Sequence, residues 1–318
     1  MPYALLIGLG AGLVSAVVFA SAMTGALLAR TLLFILTPLP LFLAGLGLGP
    51  VTVAVGGLAG TLLLLVAGGS AAAIVFAASQ AIPVLVLTYL ASLHRDVPGG
   101  TQWYPVGRIV LVAALIAGVL VAAMLLLLGG DIDALRTALR AALDDFVANE
   151  LPKLPDAPTL GPKDLDELTA VALALGPPVL AMWMMGGLLL NMWLAARITL
   201  ASGRLQRPWP DLAAISYPPL APLLLAAATG AGFLSGMPGL IAAGFAGPLF
   251  FAYVLLGLAV VHFVTRGRPW RPFALWALYI ALFVMNTFAS MSIALLGLAE
   301  AVWPIRKLTA PPNGPPHP

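Results

Sequence analysis

The sequence contains no cysteine. Disulfides, thiolate catalysis, Cys-ligated zinc and iron–sulfur clusters are therefore excluded. Histidine is limited to His94, His262 and His317. Neither H-E-x-x-H nor H-x-x-E-H occurs, so no metal site and no cofactor is expected. Charge is scarcer still. Asp, Glu, Lys and Arg make up 8% of the chain, against about 25% in ordinary globular proteins. From Thr31 to Leu93 there is none. As a single helix at about 1.5 Å per residue, that run would reach roughly three times the ~30 Å hydrocarbon thickness. A soluble chain of this size cannot hide so much uncharged surface. The chain therefore reads as a polytopic membrane protein. Its net charge of +3 rests on few groups, so it speaks to topology rather than to nucleic acid.

What is present divides into apolar spans. The first, Tyr3 to about Ala22, lacks the basic start and small-residue cleavage site of a secretory signal and is expected to be retained. Thr31–Leu93 splits at Gly45–Pro50 and Gly68–Ser70 into spans 2, 3 and 4. Arg108–Gly129 and Leu168–Arg197 make spans 5 and 6. Leu212–Thr265 holds two more, and Phe273–Trp303 is the last. The expected fold is an all-α transmembrane bundle of about nine spans (eight to ten), forming one integral membrane domain over residues 1–309. The Pro-rich tail 310–318 is expected to be disordered. The apolar runs are continuous rather than alternating, which excludes a barrel.

Basic residues orient the bundle. Arg95 and Arg108, then Arg197, Arg204 and Arg207, then Arg266, Arg268 and Arg271 mark three loops on one face, read as cytoplasmic. The expected location is the bacterial inner membrane. Arg30, Arg306 and Lys307 fall on the other face in a nine-span count. A break at Ser290-Met291-Ser292 would return the C-terminus. The segment 131–167 is rich in Asp and Glu and poor in base, as suits an external loop. Asp131–Asn149 reads as one amphipathic helix, with Ile132, Leu135, Leu139, Leu143 and Phe146 at steps of three and four. Asp131 is placed to cap it, Pro152 to stop it, and Arg140 to pair with Asp144 for roughly 0.3 kcal/mol. It either rests on the membrane or bundle or acts as a lid.

Polar groups inside spans are costly, which makes them the default site candidates. They are Asn191 and Arg197 near the end of span 6, His262 near the end of span 8, and Asn286, Ser290, Ser292 and Glu300 in the last stretch. Gln80 interrupts span 4. No catalytic constellation forms. The bland alternatives are interhelical hydrogen bonds for Asn191 and Asn286, an interfacial His262, and a Glu300–Lys307 pair. Asn286, Ser290, Ser292 and Glu300 are expected to face the bundle interior or an aqueous cavity. Glycines at 8, 10, 12, 45, 47, 49, 56, 57 and 60, with a G-x-x-x-G from Gly56 to Gly60, allow close helix approach. Prolines inside or beside the spans either kink them or break them around a binding site. The stretch Asn191–Asp211 is the most distinctive. Trp193 and Arg197 are one turn apart and able to stack, and Arg204, Arg207 and Trp209 fall at headgroup level. They serve either as membrane anchors or as a site for a phosphate-bearing ligand or a partner.

Asn191–Asp211, Pro38–Gly49, Trp103-Tyr104-Pro105, Gly257–His262 and Gly297–Trp303 with Arg306 resemble the YybS-like family of bacterial inner-membrane proteins. Gln102 and Glu300 stand where the resemblance implies an acidic residue and Asp. The resemblance implies a distant similarity to substrate-binding subunits of energy-coupling-factor transporters and to MreD-type proteins, hence ligand capture or scaffolding. It transfers no functional residues. There are three readings of the function. The first is a solute-binding or transport-type protein taking a small molecule; with no ATP-binding motif, its energy would come from a partner chain. The second is a membrane scaffold that meets a protein partner at the Arg/Trp loops. The third is a lipid-phosphate enzyme, which would need His262, Glu300, Arg204 and Arg207 to converge. Enzymatic activity is thus the least favoured, and the bilayer is the one partner common to all three.

Overall fold

The computed structural model describes residues 2–24, 26–153 and 160–309. The tail 310–318 and most of the linker Pro152–Pro162 lie outside the described residues. The fold is helical, as lipid requires, because backbone amides there must bond within their own segment. The helices are α1 (Pro2–Ser21), α2 (Leu27–Leu36), α3 (Leu39–Leu48), α4 (Pro50–Phe76), α5 (Ile82–Ser92), α6 (Val106–Leu127), α7 (Ile132–Asn149), α8 (Pro162–Ala201), α9 (Ala221–Ala231), α10 (Met237–Val264), α11 (Arg271–Val284), α12 (Asn286–Val302) and α13 (Ile305–Thr309).

Among the described residues, six helical runs are long and apolar enough to cross a membrane. That is fewer than the nine expected, for three local reasons. Pro50–Ser92 counts as one run but doubles back on itself at Gly69, whose φ is +83°. A Cβ on Gly60 would lie 2.9 Å from the Phe76 ring, and one on Gly57 would lie 3.0 Å from the Ala81 Cβ. In a straight helix Gly60 and Phe76 would be about 24 Å apart. Leu212–Thr265 yields one long helix, α10, and only the eleven residues of α9. Phe273–Trp303 breaks at Met285 into α11 and α12, of 14 and 17 residues. The break falls there and not at Ser290-Met291-Ser292, and no proline or glycine marks it.

The chain forms two compact units. The first comprises Met1–Ala113, Met185–Pro222 and Phe251–Pro318. In it α1 and α4 run parallel with their backbones in contact. A Cβ on Gly12 would strike the Gly56 carbonyl, one on Gly56 the Gly8 carbonyl, and one on Gly60 would come within 2.7 Å of the Gly12 carbonyl. Two G-x-x-x-G faces, Gly8–Gly12 and Gly56–Gly60, thus interlock. Pro83 has no N–H for the Ser79 carbonyl, and just upstream the helix widens to a π turn at Ala77–Ala81, with Gln80 buried in it. Helices α10 and α12 cross with backbones touching: a Cβ on Gly257 would strike the Ile293 carbonyl, and one on Gly297 the Tyr253 carbonyl. Both then run toward the same end, where the Arg306 guanidinium lies 5.9 Å from the Phe263 ring. The C-terminal basic pair thus returns to the end of α10, contrary to the nine-span alternation.

One departure from an all-α reading is a small hairpin in this unit. Strands β1 (His94–Val97) and β2 (Gly100–Trp103) pair antiparallel, His94 opposite Trp103. Pro98-Gly99 makes the turn, with Gly99 at φ +104°. Gln102 accepts from Arg95 Nε at 2.7 Å across the hairpin.

The second unit comprises Ala114–Met184 and Leu223–Phe250. Its α7 covers the amphipathic segment read from sequence, and Asp131 Oδ2 accepts from Ala134 N at 3.3 Å. Arg140 bonds Asp144 at 3.1 Å and also Asp166. Close contact again falls on glycine: Gly118 lies under Phe245, and Gly247 sits on the Pro178 carbonyl.

Because Gly12 meets backbone, Gly12→Ala forces α1 and α4 apart. A loss of about 1–3 kcal/mol is expected, the usual range for overpacking. At Gly10 a Cβ meets nothing within 4 Å. Thermal unfolding in detergent should therefore show a lowered midpoint for Gly12→Ala and none of that loss for Gly10→Ala. Equal midpoints would refute the backbone contact.

Candidate functional site

The site is built around the loop between α8 and α9. Little regular structure holds this loop, so side chains do. Helix α8 ends where Gly203 takes φ +68° and the N–H groups of Arg204 and Leu205 both turn back to the Thr199 carbonyl. Arg197, on the last turns of α8, stacks over Trp209 at 5.2 Å. It does not stack on Trp193, which lies on the same helix. Asp211 accepts two hydrogen bonds from Arg266, at 2.7 and 2.8 Å, and a third from Ala213 N at 3.1 Å. Arg306 donates to the Ala213 and Ile215 carbonyls at 2.7 and 2.8 Å. Its Nε donates to Glu300 Oε1 at 2.9 Å and its backbone N–H to Glu300 Oε2 at 3.1 Å. Tyr217 donates to the Ala252 carbonyl at 2.6 Å, and Gly107 leaves room for the Ser216 carbonyl.

The electrostatics follow this geometry. The Arg266 guanidinium holds the Asp211 carboxyl below the usual carboxylate range, and Asp211 in turn raises Arg266. Burial pushes the Tyr217 hydroxyl far up, so it remains a donor. Burial lowers Arg207, yet a guanidinium stays protonated throughout the physiological range.

Behind the loop lies a cavity of about 1090 Å³, lined entirely by residues of the first unit. Its apolar lining comes from Leu189, Leu190 and Trp193 of α8 and from Phe251, Leu255 and Leu258 of α10; Leu190 and Trp193 are exposed, so the space is open along α8. Its lining also includes Asp211 and Arg266, which bond each other, and Arg207 and Arg271, four residues before Asp211 and five after Arg266 along the chain. His262 and Tyr279 stand on the wall, His262 Nε2 2.9 Å from the Tyr279 hydroxyl. Asp211 and Arg266 satisfy each other. Among the described residues, the side chains of Arg207 and Arg271 have no hydrogen-bonded or ion-pair partner, and both are half-buried. No group of three His, Asp or Glu among the described residues is arranged to hold a metal ion.

Of the residues singled out from sequence, Trp193, Arg207, Trp209 and His262 line this cavity. Arg197 touches it through Trp209. Arg204 is exposed beside it. Asn191 is fully buried and donates to the Ile35 and Gly187 carbonyls at 2.6 and 2.7 Å, tying α8 to the end of α2. Helix α2 ends at Leu36, just before Pro38, and the Asn191 amide supplies the Ile35 carbonyl with a donor there. Glu300 is buried but pairs with Arg306 instead of Lys307, because α12 stops at Val302 and Pro304 turns the chain back. Asn286 is exposed at the start of α12, since the break at Met285 puts it at a helix end rather than mid-span. Ser290 is half-buried, and Ser292 bonds back to the Phe288 carbonyl at 2.9 Å. Neither lines the cavity. His262, Glu300, Arg204 and Arg207 therefore do not converge as a lipid-phosphate enzyme would need. Sequence reasoning missed Asp211 and Tyr279 and read Arg266 and Arg271 only as topology signals. The Trp-Pro-Asp at 209–211 was the available hint for Asp211; Tyr279 had none.

A family model described as "Predicted membrane protein (DUF2232)" matches residues 13–300. No curated protein and no solved structure matches.

The Glu300–Arg306 pair is buried, at 7% and 11% side-chain exposure. Removing one partner of such a pair leaves an uncompensated charge at about 3–5 kcal/mol. Arg306→Met should destabilise the protein by that order in detergent unfolding. Adding Glu300→Gln should recover part of the loss, since no lone charge then remains. Full additivity of the two changes would show that the pair is not coupled.

Proposed function

The chain belongs to the DUF2232 family of membrane proteins, and we propose that it serves as a solute-binding or transport-type member whose ligand occupies the cavity of the first unit. The observation that carries this reading is the cavity itself. At about 1090 Å³ it reaches the upper end of small-molecule sites, typically about 300–1,000 Å³. It also has the usual make-up of such sites, apolar walls with a few convergent polar groups. Its half-buried Arg207 and Arg271 lack partners among the described residues, which supports an anionic group on the ligand. The resemblance of Asn191–Asp211 to the YybS-like family, with its distant similarity to vitamin-transporter binding subunits, supports the same reading. We place the Arg-bearing loop at the cytoplasmic face of a bacterial inner membrane, because the chain's basic residues concentrate in these loops.

A scaffold is the second reading, favoured by Arg204 and Arg268. Both are exposed, and neither side chain has a partner among the described residues.

Native mass spectrometry of protein purified in mild detergent separates the two. Wild type should carry a bound non-protein species. Ala196→Trp, which fills the cavity from α8, should lose it while keeping the wild-type melting transition. Arg204→Ala with Arg268→Ala should keep it. Identical bound species in wild type and Ala196→Trp would contradict the binding role. A protein partner lost only in the Arg204/Arg268 variant would favour the scaffold.

A further inference from the structure

The cavity's shape and charge restrict its occupant, whose identity rests on the binding role just proposed. On α10 the lining positions are Phe251, Leu255, Leu258, Ala259 and His262, with Arg266 two residues past the helix end. The helical positions recur at steps of four, three, one and three, so they form one helix face. Eleven residues separate Phe251 from His262, which at 1.5 Å per residue is about 16 Å. One leaflet's share of the ~30 Å hydrocarbon core is about 15 Å. The α10 face is therefore long enough for a lipid tail, and Arg266 stands past its end, where the head would fall. From Phe251 to Ala259 this face is apolar, and the charges stand at the Arg266 end.

The charge count at that end points to an anion. Asp211 and Arg266 cancel through two hydrogen bonds. Arg207 and Arg271 are left, two half-buried guanidiniums lining the same space with no ion-pair partner among the described residues. Each is a cation removed in part from water with no anion among those residues to balance it. A phosphate carries between one and two negative charges and enough oxygens to accept from two planar forks. A carboxylate has one charge and two oxygens, which a single fork already occupies. Between the charged end and the apolar slot, His262 and Tyr279 offer polar atoms where the glycerol or ester oxygens of a lipid would fall.

We infer that the ligand is a phosphate-bearing lipid, its phosphate on Arg207 and Arg271 and its hydrocarbon chain lying along α10 toward Phe251. A water-soluble phosphate compound would use only the charged end and leave the apolar slot empty, so the lipid is the better fit.

Trp193 and Trp209 line the cavity and serve as reporters. Phosphatidic acid with dibrominated chains, titrated into protein in maltoside detergent, should quench tryptophan fluorescence saturably. Trp193→Phe with Trp209→Phe should remove the saturable part. Arg207→Gln and Arg271→Gln should each weaken binding tenfold or more. Dibrominated diacylglycerol should bind wild type at least tenfold more weakly than phosphatidic acid and be indifferent to the two Arg changes. Glycerol phosphate should not displace the lipid. Equal binding of diacylglycerol and phosphatidic acid would overturn the phosphate assignment while leaving the cavity a binding site. Displacement by glycerol phosphate at comparable concentration would overturn the lipid assignment in favour of a soluble phosphate. Absence of saturable quenching by either probe would overturn the inference as a whole, whereas the binding role itself stands or falls on the Ala196→Trp comparison.

Discussion

The end of the first unit depends on what Arg306 holds. One guanidinium satisfies the buried Glu300 carboxylate and two loop carbonyls, Ala213 and Ile215. A charge removed from water is tolerable only when its partners are in place, and here they come from two parts of the fold, the end of α12 and the α8–α9 loop. Asp211, tied to Arg266, repeats the arrangement two residues earlier. Between them the two arginines fix a loop with almost no secondary structure. That loop supplies Arg207, Trp209 and their neighbours to the cavity wall. Without the clasp, the helices would remain but the charged end of the cavity would not.

The clasp in turn depends on helix packing that lipid makes demanding. Hydrocarbon gives helices no hydrophobic reason to associate, so close backbone contact must do it. Gly257 and Gly297 let α10 and α12 touch, and that contact sends α12 to the end of α10, where Arg306 can reach the loop. Gly8, Gly12, Gly56 and Gly60 do the same for α1 and α4. A glycine at a helix crossing is thus connected, through one arginine, to the geometry of a cavity several turns away.

The sequence made some of this legible and hid the rest for physical reasons. Charge-free runs identified a membrane protein, the reversal near Gly69 was visible as Gly68–Ser70, and the period of apolar residues located α7. These are local signals. The break at Met285 carries no proline or glycine, so a hydrophobic stretch looked continuous and Asn286 looked buried. Assuming a helix through Pro304 paired Glu300 with Lys307, when the turn there brings Arg306 back instead. The candidate site was legible only in part. Arg207, Trp209 and His262 stood out as costly or distinctive groups. Their convergence depends on contacts such as Arg306 to Ala213, 93 positions apart, and no local pattern encodes those. Tyr279 and Arg271 became informative only once α11 was seen beside α10.

The claim that matters most is that the cavity of the first unit exists to be occupied. A density map of the protein in lipid nanodiscs tests it directly. The expected result is an elongated non-protein feature along the α10 face from Arg266 toward Phe251, ending against Arg207 and Arg271. A cavity collapsed by inward side chains, with Arg207 and Arg271 turned to solvent, would contradict it.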